Sequence, residues 1–208
     1  VYDMIRIMVG PRFPIIVKLS ATDCIPGGVT FEDCSKLGEL LERRGIDGIE
    51  VSCGTPETGF TTTRGGIPEA IMKQSVPGLI RAALPIAKYP LQRLARFEEG
   101  YLVDYASRMR KRVDVPVIAV GGLRTGEFMA QVISRGQADF VAASRPYILD
   151  PHFASKVLDQ RIRESRCENC NHCTAEVVLR SAPLRCYRYP RVRKLGFGDV
   201  SLPRAALN

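Results

Sequence analysis

A parallel α/β fold is predicted for this 208-residue chain by three features. Four short, β-branched apolar runs are each bounded by Gly or polar residues, the pattern of strands buried on both faces. Amphipathic stretches of helical period separate them. The resulting order, strand then helix four times over, calls for parallel strands joined by right-handed crossovers.

The first run is Ile15-Ile16-Val17-Lys18-Leu19-Ser20. Lys18 stands out there, because a charge in a buried strand must reach the strand's end or meet an anion. A helix over 31–45 follows, with Leu37, Leu40 and Leu41 on one face and Gly45 as its stop. The second run is Gly48-Ile49-Glu50-Val51-Ser52. From Thr55 to Arg96 the chain passes through Gly, Thr and Pro before a helical piece at 77–87. A connection of that length marks a functional loop or an inserted subdomain.

The next helix spans 98–113 with Tyr101, Leu102, Tyr105, Met109 and Val113 on one stripe. The third strand is Val115–Val120, and a helix over 125–136 opens with Thr125 as N-cap, turning Phe128, Met129, Val132 and Ile133 inward. The fourth strand is Ala138–Ala143, followed by a helix over 151–163.

Composition sets limits. Hydrophobic residues make up 45% and charged residues 25%, a globular balance. No apolar run has the roughly 18 residues a membrane span needs, so no membrane partner is expected. The charge is +8. Nine Arg/Lys against three Glu fall between Arg161 and Lys194. With no aromatic ladder or helix–turn–helix pattern beside them, nucleic acid is not expected as a partner. Seven cysteines, an odd number, with Cys24, Cys34 and Cys53 lying singly in apolar stretches, argue for buried thiols in a reducing cytoplasm.

Two loops carry the candidate anion chemistry. Gly121-Gly122 end the third strand just before a helix, where backbone N–H groups can approach an oxyanion. Ser144-Arg145 end the fourth strand with a hydroxyl and a guanidinium. In (β/α)8 barrels the last two such loops are the usual phosphate cradle.

Cys167, Cys170, Cys173 and Cys186 are spaced C-x2-C-x2-C-x12-C. Soft thiolates at this density select an iron–sulfur cluster or zinc. Zinc sites pair two C-x2-C knuckles, whereas three close ligands and a lone fourth favour [4Fe–4S]. Zinc and free thiols stay as alternatives.

The stretches FPIIVKLS, GIEVSCGTPE, EEGYLVDYASRMRKRVDVPVIAVGGLRT and GQADFVAASRPYILDP, with CENCNHC…PLRC, resemble the C-terminal half of an old yellow enzyme-type NADH:flavin oxidoreductase. The iron–sulfur branch around 2,4-dienoyl-CoA reductase and trimethylamine dehydrogenase is the most similar, from about Phe13 to Tyr187. The resemblance implies a TIM-type (β/α)8 barrel that binds FMN. This chain would supply its fifth to eighth strands over 1–163 and a cysteine-cluster segment with a basic tail over 164–208. Lys18 takes the place of a basic residue, commonly Arg, at the flavin N1/O2 edge. Gly121, Gly122, Ser144 and Arg145 fall where the family holds the FMN phosphate, and the four cysteines where it holds its cluster.

The family's first four strands, with its Tyr donor and paired His or His/Asn, would precede Val1. His152 and His172 lie in the wrong regions to replace them, so no catalytic residue is assigned. The implied activity passes hydride from NAD(P)H through FMN to an electron-poor alkene, with the cluster as electron relay. The alternative is a non-catalytic metal-binding half-barrel that needs a partner. The missing N-terminal half is expected in cis or in trans, with an oligomer as one arrangement.

Overall fold

The structure, a computed structural model, describes residues 1–189, apart from the side chains at 56, 60, 61, 80 and 88. The basic tail beyond 189 lies outside the described residues. In chain order the elements are α1 (Tyr2–Val9), β1 (Ile16–Ser20), α2 (Phe31–Arg43), β2 (Gly48–Ser52), a 3-10 turn (Pro56–Thr58) and α3 (Gly59–Thr62). There follow α4 (Glu69–Ser75), α5 (Gly78–Leu94), α6 (Val103–Arg110), β3 (Val117–Ala119) and α7 (Gly126–Ser134). β4 (Phe140–Val141), α8 (Arg145–Leu149), α9 (Phe153–Leu158) and α10 (His172–Arg180) complete the described chain.

The strands form one parallel sheet in the order β1-β2-β3-β4. Sequential parallel neighbours joined through helices are the arrangement of half a (β/α)8 barrel. Register aligns Lys18 with Glu50, Glu50 with Ile118, and Ile118 with Phe140.

α2 begins in a capping box. Thr30 Oγ1 accepts from Asp33 N–H at 3.3 Å, and Asp33 Oδ2 accepts from Thr30 N–H at 3.0 Å. It stops before Gly45, whose φ of 86° needs glycine. Thr125 caps α7, its hydroxyl accepting from Phe128 N–H at 3.3 Å. The core lies between one sheet face and the helices. Ile49, Val51, Val117 and Ala119 meet Met109 and Val132, all fully buried.

Burial of the strands on both faces does not hold. On the opposite sheet face Ile16 is 57% exposed and Phe140 59% exposed, because no element covers that side at the two edge strands. Cys24 is exposed and Cys53 half-buried, so of the three single cysteines only Cys34 is a core residue. Ile133 stays 40% exposed rather than turning inward. The 98–113 helix shortens to α6; its stripe keeps Met109 in the core, and Leu102 is buried just before the first turn. No described helix is long and apolar enough to cross a membrane.

Candidate flavin and cysteine sites

The C-terminal ends of all four strands open into one cavity of about 350 Å³. Lys18, Gly121, Gly122, Ser144 and Arg145 all line it. Five positions spread over 128 residues of chain converge because parallel strands deliver all their βα loops to one end.

Gly121 and Gly122 have φ of 108° and 73°. A Cβ on Gly122 would sit 2.9 Å from Glu98 O and 3.0 Å from Tyr101 Cδ1; one on Gly121, 2.8 Å from Leu102 Cγ. The pair is therefore required by turn conformation and by the loop entering α6, as well as by any ligand. The backbone N–H groups of Gly121, Gly122 and Ser144 make no hydrogen bond among the described residues, nor does the Ser144 hydroxyl. The donors just beyond are already taken. Glu99 Oε1 accepts from Arg124 N–H at 2.8 Å and Thr125 N–H at 2.6 Å, so its carboxylate serves the start of α7. One further donor is unspent: Arg124 Nε is buried without a partner among the described residues.

Lys18 is on the uncovered sheet face, 58% exposed, with Nζ 2.6 Å from Glu50 Oε1 on β2. Its charge is thus balanced within the sheet. Arg145 is also engaged: Nη1 donates to Arg64 O at 2.9 Å and to Asn171 Oδ1 at 2.7 Å. It stands between the cavity and the cysteine segment and touches both.

Cys167, Cys170, Cys173 and Cys186 line a second, smaller cavity together with Arg145, Asn171 and His172. Burial pushes the Cys167 and Cys173 thiols up, and the Arg145 charge works against this. Among the described residues no three His, Cys, Asp or Glu side chains are close enough to hold a single metal ion. The segment is anchored by Ser165 N–H to Arg124 O at 2.9 Å and by Gly66 N–H to Asn169 O at 2.8 Å.

Cys53 and Tyr101 also line the first cavity, though their sequence patterns read as core. Cys53 follows directly on β2, and position at a strand's C-terminal end was the signal available for it. Burial raises the Tyr101 phenol, keeping it protonated as a hydrogen-bond donor. The Arg64 guanidinium lies 4.9 Å from its ring centroid.

A half-barrel of parallel strands with a cavity at their carboxyl ends defines the class. Residues 70–164 match the NADH:flavin oxidoreductase / NADH oxidase family. The chain is 33% identical to an NADH oxidase of Thermoanaerobacter brockii, over 88% of this chain and 24% of that protein. It is 25% identical to a 4,4'-dithiodibutanoate disulfide reductase of Rhodococcus erythropolis, over 83% of this chain and 43% of the relative. In fold it is similar to a 2-naphthoyl-CoA reductase complexed with 2-naphthoyl-CoA. There the TM-score is 0.67 at 22% identity, covering 90% of this chain and 24% of that one. The chain is related to the old yellow enzyme-type NADH:flavin oxidoreductases, and spans less than half the length of these relatives. The family supports FMN as cofactor.

Proposed function

We propose that this chain is part of an FMN-dependent, NAD(P)H-linked oxidoreductase acting on an electron-poor alkene such as an enone or enoyl thioester. Residues 1–163 supply the C-terminal half of its barrel, and 164–208 a segment that carries a [4Fe–4S] cluster as electron relay. The reading rests on one observation above all. Gly121, Gly122 and Ser144, whose N–H groups and hydroxyl are unspent among the described residues, line one cavity at the strands' carboxyl ends together with Arg145. That donor set suits a phosphate dianion, which takes several charge-assisted hydrogen bonds.

Bound FMN would supply the two-electron chemistry between nicotinamide and substrate. The chain's own residues hold and orient it. The two loops fix the phosphate. Lys18 presents a cation at the cavity rim, tempered by Glu50. Tyr101 offers a proton on its phenol. Cys167, Cys170, Cys173 and Cys186 line one small space and are of the type an iron–sulfur cluster takes, with zinc as the alternative; either would need their thiols drawn closer together. Arg145 lies beside them, so its positive charge favours the thiolate form that ligation needs.

A second reading is favoured by the uncovered sheet face, where Ile16 and Phe140 stand exposed. On that reading the chain is a non-catalytic metal-binding half-barrel that docks a partner half. An anaerobic absorbance spectrum, before and after dithionite, separates the two. Flavin bands over a broad bleachable absorbance support the oxidoreductase. The broad absorbance without flavin supports the docking module, and a featureless spectrum overturns the oxidoreductase and leaves a docking module with zinc or free thiols.

A further inference from the structure

Two of the cysteines outside the cysteine-rich segment, Cys24 and Cys53, sit on adjoining loops. β1 and β2 leave the sheet side by side, and their loops stay tied: Ala21 N–H donates to Ser52 O at 2.7 Å and Gly54 N–H to Thr22 O at 2.8 Å. Thr22 O also lies 3.9 Å from Cys24 Sγ. The Cys24 thiol and the peptide following Cys53 therefore converge on one oxygen. Thr58 Oγ1 adds a third tie, to Asp23 O at 3.4 Å.

The turn is tight. Cys24 has φ of 60°, uncommon for a residue other than glycine, and its N–H bonds back to Thr22 Oγ1 at 3.2 Å. This folds its side chain back toward the strand ends. The Cys24 side chain is near enough to the Cys53 thiol to help raise it. They differ in access: Cys24 is exposed, whereas Cys53 is half-buried and lines the cavity.

We propose that Cys24 and Cys53 form a reversible disulfide at the cavity rim, made by exchange with a low-molecular-weight disulfide. In the first step the Cys24 thiolate attacks one sulfur of the external disulfide. That bond breaks, and one small thiolate leaves and takes a proton. Cys53, as thiolate, then attacks the Cys24 sulfur of the mixed disulfide and expels the second small thiolate, which is protonated in turn. Two protein thiols are oxidised to one disulfide, and one external disulfide is reduced to two thiols. The site does not depend on the flavin reading.

Burial pushes the Cys53 thiol up to about 11, with Cys24 adding to the rise and Arg64 opposing it; Tyr101, Lys18 and Arg145 are further titratable groups lining the same cavity. Closure consequently quickens as pH rises toward that value, because the Cys53 thiolate fraction grows.

The test uses the purified chain, equilibrated in buffers of reduced and oxidised glutathione, quenched in acid, then alkylated with a maleimide in denaturant near neutral pH and digested. Cys24 and Cys34 share the tryptic peptide 19–36, so fragment sequencing assigns the linked cysteine. A Cys24–Cys53 linked peptide that dithiothreitol removes is expected from the wild type. Cys53→Ser is expected to accumulate glutathione on Cys24 at least tenfold above wild type, and Cys24→Ser to show neither product. Wild type that carries as much glutathione on Cys24 as Cys53→Ser, with no linked peptide, overturns the proposal. So do thiols that stay reduced in the most oxidising buffer.

Discussion

Arg145→Ala tests whether one guanidinium fastens the cysteine segment to the barrel. Its Nη1 donates to the Arg64 carbonyl at 2.9 Å and to Asn171 Oδ1 at 2.7 Å. Bonds from a charged donor contribute about 1.5–3 kcal/mol each. Asn171 is only 1% exposed, so truncation leaves its oxygen buried without a partner. The Asn171 amide meanwhile still donates to Gly66 O at 3.2 Å and holds the side chain in place. Because both bonds share one nitrogen they do not add fully, and a loss of about 3 kcal/mol is expected. For a domain of this size that lowers Tm by roughly 6–12 °C, read by circular dichroism. Asn171→Ala closes a double-mutant cycle, with an expected coupling of about 1–3 kcal/mol. A Tm within about 1 °C of wild type, or effects additive within about 0.5 kcal/mol, would refute the fastening role.

Three other outcomes follow from local geometry. Gly122→Ala places a Cβ 2.9 Å from Glu98 O at a φ of 73°, so strain and overpacking should cost about 2–4 kcal/mol in urea unfolding; a loss under about 0.5 kcal/mol would contradict the turn argument. Cys34 is buried and its thiol is pushed up to about 11. The unfolded chain gives up that proton earlier, so this stabilisation is full below about pH 8.5 and is lost as pH rises toward 11. Cys34→Ala should flatten the decline of stability in that window, and identical pH profiles would argue against it. Cys170→Ala should abolish bound iron and the broad visible absorbance, and unchanged iron content would remove Cys170 from the ligand set.

The sheet was legible because its strands fall in short apolar runs bounded by Gly or polar residues. β2 coincides with its predicted span, and β1 differs by one residue. β3 and β4 are shorter than their apolar runs, since their mutual register pairs only Ile118 with Phe140 and Ala119 with Val141, and β4 is an edge strand. The exposure of Ile16 and Phe140 was not legible, because the same alternation serves a closed barrel and an open half of one. α1 and α10 went unread. α1 sits among charged residues at the chain's start, and α10 lies inside a segment whose cysteines dominate its pattern.

At the candidate site, residue types could be read but partners could not. Glu50 opposite Lys18 follows from strand register, and Asn171 opposite Arg145 from the return of a distant segment. Neither is encoded in local spacing. Glu99 at the start of α7 shows the same limit: a carboxylate twenty-five residues before Arg124 reaches the donors that the sequence offered to an external anion. Cys53 read as core because it follows the Ile49–Val51 stretch of β2, although its place at the end of that strand puts it in the cavity lining.

The most direct measurement of the account is a fluorescence titration of the purified chain with FMN and, separately, with riboflavin. If Gly121, Gly122, Ser144 and Arg145 cradle a phosphate, FMN should bind at least about tenfold more tightly, since one charge-assisted hydrogen bond contributes roughly 1.5–3 kcal/mol. Equal affinities, or no binding of either flavin, would contradict the claim that this cavity is a flavin-phosphate site.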